Sequence, residues 1–495
     1  MTKKYIKITR HNEKKLKRGL TPFSVWAMAF GCIVGWGAFL MPGDIFLKQA
    51  GPLGSMFAIE IGAFIMLIIS YCYYYMLHRF PEVGAQFMYA KKAFGKLHGF
   101  ICAWFLGFCY ISIIPLNATA LQTLLRTIAD NLLQFGFHYN FRGYDVYLGE
   151  ILLAITALIV FALISSLNIR RVGQIQVALV LIQLCVVLVM VVGSIMNPGH
   201  VLHENLGPLF HPGKDLSIFL QMFSVIAVAP WAFVGFEIVP QLSHESNFSM
   251  EGAKVIMDTC ILCSAFFYIV LTLMAALAIP VGYSTWVEYI YGLPYLRGMA
   301  SVPTAFAAHR LMGGIGSVLW SVASLSAAFS CIIGFYIATS RLLYNMAKDA
   351  MIPSWFGKLT RHGVPVNATI FCMLFSMIPP FFGRSTLTWA VEMSAIGGAI
   401  GFGYTSLAAR KYAREEGRMD IEIFGTLGFI FSIFFAMLLL IPFPKLNCSI
   451  GQESWLLLVL WTVMGIIFFL RTQVSAPPED GEKPHLEGAY PQKVL

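Results

Sequence analysis

The chain has 495 residues, 58% of them hydrophobic and only 12% charged, with a mean hydropathy of +0.72. A soluble protein of this length could not cover such an apolar interior with so few charges. The formal charge of +9 is no sign of nucleic acid, because its basic residues are distributed as topology demands.

Apolar runs of roughly 20 residues, enough to cross the hydrocarbon core as helices, recur about twelve times. They centre near residues 34, 67, 108, 158, 184, 228, 268, 325, 373, 398, 432 and 462. The expected fold is therefore an all-α polytopic membrane protein. Residues 1–20 read as a basic cytoplasmic tail without a cleavable signal pattern. With that end inside, only Lys48, Arg126, Arg142, Lys214, Arg297, Arg310, Arg384 and Lys445 of the 34 basic residues fall outside. This is the positive-inside bias.

The first run contains FGCIVGWGAFLMPG, residues 30–43, with Gly31, Gly35 and Gly37 ahead of Pro42-Gly43. Each glycine costs a helix about 1 kcal/mol relative to alanine, so this span is expected to be interrupted. In the second run Glu60 reads, like Glu392 further on, as either a solvated position or a hydrogen bond between helices. Tyr71 and Tyr73 to Tyr75 read as an interfacial belt. The outside stretches near 127–147, 197–215 and 281–310 read as interfacial loops and short surface helices.

A second interruption is expected in SVIAVAPWAFVGFE, residues 224–237, at Pro230 and Gly235. Matched interruptions in two halves of a chain point to an inverted-repeat transporter with its site at the midplane. A broken helix leaves N–H and C=O groups unpaired, which is tolerated at membrane depth only where they line a cavity or bind something. Glu237 at the second break either titrates and couples protons or stiffens the break by bonding freed backbone groups.

Further along, Cys260 and Cys263 form a CxxC inside an apolar helix without a second ligand pair, which argues against a metal site. The ten cysteines lie nearly all in spans, and no disulfide is expected. Ser324, Ser326 and Ser330 either pack helices or set hydroxyls toward a sodium site; packing is the ordinary role of small hydroxyl residues. Glu392 is expected in a solvated outer vestibule. The Asn-x-Ser/Thr triplets at Asn117, Asn247, Asn367 and Asn447 read as chance. The tail from Ser475 is rich in Pro, Glu and Gly and is expected to be disordered. No HExxH, GxSxG or Walker sequence suggests an enzyme.

These segments resemble the amino acid–polyamine–organocation transporter superfamily, across essentially all the spans. Gly31-Cys32-Ile33-Val34-Gly35-Trp36-Gly37-Ala38-Phe39 is similar to that family's first-helix pattern. Pro81-Glu82-Val83-Gly84-Ala85-Gln86-Phe87-Met88-Tyr89 resembles the segment between helices 2 and 3, and Trp231-Ala232-Phe233-Val234-Gly235-Phe236-Glu237 the broken sixth helix. Ser340-Arg341-Leu342-Leu343-Tyr344-Asn345-Met346-Ala347-Lys348-Asp349 resembles the inside segment after helix 8.

The resemblance implies a LeuT-type fold in which five helices (21–196) are followed by five inverted ones (216–412). Helices 11 and 12 (420–471) and a cytoplasmic tail (472–495) complete the chain. It implies a multi-pass cell-membrane permease, with both termini cytoplasmic, for an amino acid or small organic amine. Transport would be secondary, with a proton or sodium as coupling ion and no cofactor; a channel or receptor would not predict paired breaks.

By the same analogy, the substrate lies against Ile33, Val34, Gly35, Trp36 and Gly37 of the first break and Trp231, Ala232, Phe233 and Val234 of the second. Amides of Ile33, Gly35, Trp36 and Gly37 would meet a carboxylate; carbonyls of Trp231, Ala232 and Val234 would meet an ammonium. Trp231 sits where the family places an aromatic gate. Trp36 replaces the usual small residue and either narrows the pocket or stacks on the substrate as a lid. Gln183 stands where several proton-coupled relatives keep a lysine, leaving exchange or another proton carrier open.

Overall fold

The structure is a computed structural model that describes residues 16, 18–81, 84–196, 206–212, 217–443, 446 and 448–475. Most of both tails, Glu82 and Val83 of the resemblance, and Lys214, Lys445 and Asn447 lie outside the described residues.

The chain enters α1 (Pro22–Ile33) through a conventional start: Thr21 Oγ1 accepts from the Ser24 amide at 3.1 Å and Pro22 occupies the first turn. Helix α1 then stops, and α2 (Gly37–Met41) resumes after three residues. A π-helical turn over Pro42–Phe46 leads into α3 (Leu47–Arg79), which changes direction at Gly51. Next come α4 (Gln86–Phe94) and α5 (Lys96–Ala129). Strands β1 (His138–Phe141) and β2 (Tyr144–Tyr147) follow, then α6 (Leu148–Ser165) and α7 (Ile169–Met196).

The second part of the chain opens with three short pieces, α8 (Ile218–Ile226), α9 (Ala229–Ala232) and α10 (Ile238–Gln241). Helix α11 (Met250–Leu277) and the short α12 (Trp286–Gly292) follow. Helix α13 (Pro303–Lys348) is bent at Gly313, and α14 (Val366–Ser376) leads to α15 (Ser385–Glu416). The chain closes with α16 (Met419–Leu440) and α17 (Gln452–Ser475).

Eight helices are long and apolar enough to cross a membrane among the described residues, so the chain is a multi-pass helical membrane protein. The runs near 34 and 228 fail that test because they are broken. The run near 373 is cut short by Pro379-Pro380, and the run near 398 belongs to α15, which is long but diluted by polar and glycine residues. Helix α5 packs between α13 and α15, α3 against α8 and α11, and α1 against α7, α11 and α13. Leu163, Leu188, Phe64 and Leu456 point outward, as a lipid-facing wall requires.

Two expectations need correction. The stretch 127–147 folds partly as a β-hairpin instead of loop and helix alone, with Arg142-Gly143 at the turn. Tyr73 is not part of a belt: it is fully buried, its ring edge-on to Phe236 and Phe402, because that helix face turns into the bundle. Of the two readings of Glu60, the hydrogen bond between helices is not made among the described residues: the side chain is exposed, between Phe57 and Phe64. The ten cysteines are all free. Glu392 is half-buried and accepts from the Gly451 amide at 3.1 Å, tying α15 to the start of α17.

Candidate functional site: two abutting helix breaks

Helix α1 ends when Val34 leaves helical geometry (φ −92°, ψ 79°) while still donating to the Phe30 carbonyl at 2.8 Å. The Trp36 amide is taken by Asn117 Oδ1 of α5 at 3.4 Å. Asn117 is itself held by donating to the Ile113 carbonyl and to Cys331 Sγ of α13. Among the described residues, the amides of Gly35 and Gly37 donate no hydrogen bond. Buried N–H groups in native folds are rarely left so.

The second break begins after α9, with Phe233 at φ −111° and ψ 0°, and turns on Gly235 at φ 138°. That backbone region is closed to L side chains. The turn is fastened by Glu237, whose Oε2 accepts from the Gly235 amide at 2.8 Å. Its Oε1 is buried without a hydrogen-bond partner, with the Tyr110 hydroxyl close by. The Val234 carbonyl accepts no hydrogen bond among the described residues.

The breaks meet. A Cβ on Gly235 would lie 2.9 Å from the Ile33 backbone nitrogen, and one on Gly37 would lie 2.6 Å from Trp231 Cη2. Glycine at both positions is what allows this approach. The Tyr268 hydroxyl of α11 lies 3.1 Å from the Ile33 carbonyl and 3.2 Å from that of Ala232, one group bridging both breaks.

The structure therefore brings Ile33, Gly35, Trp36, Gly37, Trp231, Ala232, Val234 and Glu237 together. Phe233 turns its ring toward Tyr268 and Gly62, and so serves packing. Gln183 is fully buried on α7, but its amide bonds to neither break among the described residues. The hydroxyls of Ser324 and Ser326 donate to carbonyls of their own helix, at 3.1 Å and 2.9 Å. The Ser330 hydroxyl, by contrast, has no partner and packs against Gly31.

The two breaks are shut away from the surface. Trp36 and Trp231 are 2% and 7% exposed, and their ring centroids lie 6.3 Å apart at 54°. On one side Thr304 donates to the Phe39 carbonyl and accepts from Trp320 Nε1. On the other, Gly19 and Leu20 donate to the Glu245 carbonyl at 2.9 Å and 3.0 Å. The Glu245 carboxylate meanwhile pairs with Arg341 at 2.9 Å and 3.1 Å, both side chains 1% exposed. Nearby, the Gln241 amide donates to Gln86 Oε1 and to the Tyr110 hydroxyl, a buried polar cluster that ties the end of the second break to α4 and α5.

Breaking a buried ion pair by removing one partner costs about 3–5 kcal/mol. Arg341→Met is therefore expected to lower the melting temperature of the purified protein sharply. An unchanged melting curve would show that the pair does not hold this end shut.

The reading from sequence missed Asn117, Tyr268, Tyr110, Gln86 and Gln241. The available signal was a polar side chain inside an apolar run, which is costly at membrane depth unless paired.

Discontinuous helices packed against each other within a multi-pass helical bundle are the architecture of membrane carriers. The particular kind is set by comparison: the amino acid permease family matches residues 24–476, and the chain belongs to that family, one of transporters rather than enzymes. It is 22% identical to the branched-chain amino acid permease of Lactococcus lactis subsp. cremoris, over 88% of this chain and 92% of the relative. It is 24% identical to the aromatic amino acid transport protein of Escherichia coli O157:H7, over 94% and 98% respectively. It is 22% identical to the lysine-specific permease of L. lactis subsp. cremoris, over 78% of this chain and 74% of the relative.

Proposed function

We propose that this chain is a secondary active transporter that carries an amino acid across the cell membrane by alternating access. Twelve crossings arranged as five plus an inverted five plus two, with cytoplasmic termini, complete the proposal. The observation that carries it is the pair of abutting breaks in which the Gly35 and Gly37 amides and the Val234 carbonyl lack partners. A substrate carboxylate satisfies the first two at a helix N-terminus, where the backbone dipoles favour an anion. The substrate ammonium satisfies the carbonyl edge formed by Trp231, Ala232 and Val234.

These contacts are narrower than the resemblance implied. Ile33 is the last residue of α1, whose amides bond along the helix, and the Trp36 amide goes to Asn117, so the carboxylate is held by the two glycines. A site built from backbone groups reads the α-amino and α-carboxyl groups and leaves side-chain choice to its walls. The relatives' names, which cover branched-chain, aromatic and lysine substrates, fit that division of labour. Glu237 couples or gates: a proton on its unpartnered oxygen changes the charge at the turn that Gly235 makes.

A thermal-shift screen of the purified protein against amino acids and polyamines tests the substrate class, since a ligand bound only by the folded state raises its melting temperature. Counterflow in proteoliposomes then tests the mode of transport. Preloaded substrate accelerates uptake of label through a carrier and does nothing through a channel. Trp36, whose ring closes on Trp231, sets the wall nearest the carboxylate. Trp36→Ser is expected to admit bulkier amino acids in the same screen; an unchanged profile would count against that role.

A further inference from the structure

A cleft away from the breaks, on the side that the basic-residue bias assigns to the outside, joins two unlike halves. The first is an apolar groove where the C-terminal ends of α7 and α11 meet the opening segment of α13. It is walled by Val191, Ile195, Val270, Leu273, Leu277 and Leu311. The second is a wider, polar recess at the loop after α11, lined by Tyr283, Ser284 and His309. Arg310 lines both.

Arg310 differs from the other outside arginines. Arg126, Arg142 and Arg384 pair with Glu150, Glu453 and Asp44, and Arg297 is exposed. Arg310 is half-buried, and among the described residues its guanidinium meets only the Ile279 carbonyl, through Nη1. A guanidinium presents five donors, so one carbonyl leaves most of them free at the boundary between apolar groove and polar recess. Ile195 in the groove wall and Met196 next to it on α7 are strongly exposed apolar residues, so the groove's mouth opens on an apolar outer surface.

We propose that this cleft is a phospholipid site: an acyl chain lies in the groove, and the phosphodiester is held by Arg310, with His309, Tyr283 and Ser284 around the headgroup. Charge complementarity selects the phosphate, and the apolar half selects a chain over a free anion. The occupant ties α7, α11 and the first segment of α13 together at one end of the bundle.

The test uses the purified, delipidated full chain and three probes: phosphatidylglycerol, diacylglycerol with the same chains, and glycerol 3-phosphate. Phosphatidylglycerol raises the melting temperature; the other two, each lacking one half of the ligand, do not. Arg310→Gln removes a charge-assisted hydrogen bond and weakens the phosphatidylglycerol response about tenfold or more in lipid concentration; Arg310→Lys restores part of it. Because Arg310→Gln also frees the Ile279 carbonyl, Ser194→Trp serves as a second variant. It fills the groove from its half-exposed edge, and loses the lipid response while keeping its lipid-free melting temperature. An equal shift from diacylglycerol or from glycerol 3-phosphate would overturn the proposal, as would an undiminished phosphatidylglycerol response in both Arg310→Gln and Ser194→Trp.

Discussion

Gly235→Ala is expected to reduce transport about fivefold or more, since a non-glycine residue forced into such a backbone region costs about 1–3 kcal/mol, tenfold corresponds to 1.4 kcal/mol, and here the strain falls on the contact between the two breaks. Gly235 sits at φ 138°, and an added Cβ would lie 2.8 Å from Cys32 Cβ and 2.9 Å from both Ile33 Cγ1 and the Ile33 backbone nitrogen. The neighbours are the first break itself, including main chain that cannot turn aside. Relief comes only by pushing the breaks apart, which separates the carboxylate end of the proposed site from its ammonium end. Gly282→Ala is the control. That residue also has positive φ, at 99°, but a Cβ there meets nothing within 4 Å. It carries the same kind of backbone strain away from both breaks, so its melting temperature should fall while uptake per folded protein stays normal, and uptake in proteoliposomes compares the two. Equal uptake by Gly235→Ala and wild type would show that the close approach is dispensable.

Glu237→Gln is expected to remove the pH dependence of accumulation while sparing most substrate binding. The amide oxygen of glutamine can accept from the Gly235 amide as Oε2 does at 2.8 Å, so the turn survives. What disappears is the exchangeable proton on the side chain. Net uptake driven by an acid-outside gradient should fall to the level that exchange alone supports, and thermal shift with the same substrate should persist. Glu237→Ala, which also loses the bond to Gly235, should weaken binding as well. Wild-type, gradient-driven accumulation in Glu237→Gln would rule out the coupling role and leave the carboxylate a structural brace.

Both breaks were legible in the residues because their causes are local. Three glycines around Trp36, and Pro230 followed by Gly235, are poor helix formers wherever they occur. The clamps around them were not legible, because they depend on which face of a neighbouring helix turns inward. Asn117 looked like a chance glycosylation triplet, yet it takes the Trp36 amide from α5. Tyr268 looked like one aromatic in an apolar run, yet it bridges Ile33 and Ala232. Tyr73 shared a tyrosine cluster with residues nearer the surface, and only the packing of α3 on α15 separates it from them. The hairpin escaped because four-residue strands carry too little periodicity to stand out from a loop. Polar amides inside apolar stretches, such as Gln86 and Gln241, were the usable sign of a buried network.

The most direct measurement is a density map of the protein equilibrated with the amino acid that the thermal screen selects. Density for the ligand is expected between residues 33–37 and 231–235, with its carboxylate within hydrogen-bond distance of the Gly35 and Gly37 amides and its ammonium facing the Val234 carbonyl. Ligand density elsewhere in the bundle, with both glycine amides still unoccupied, would contradict it.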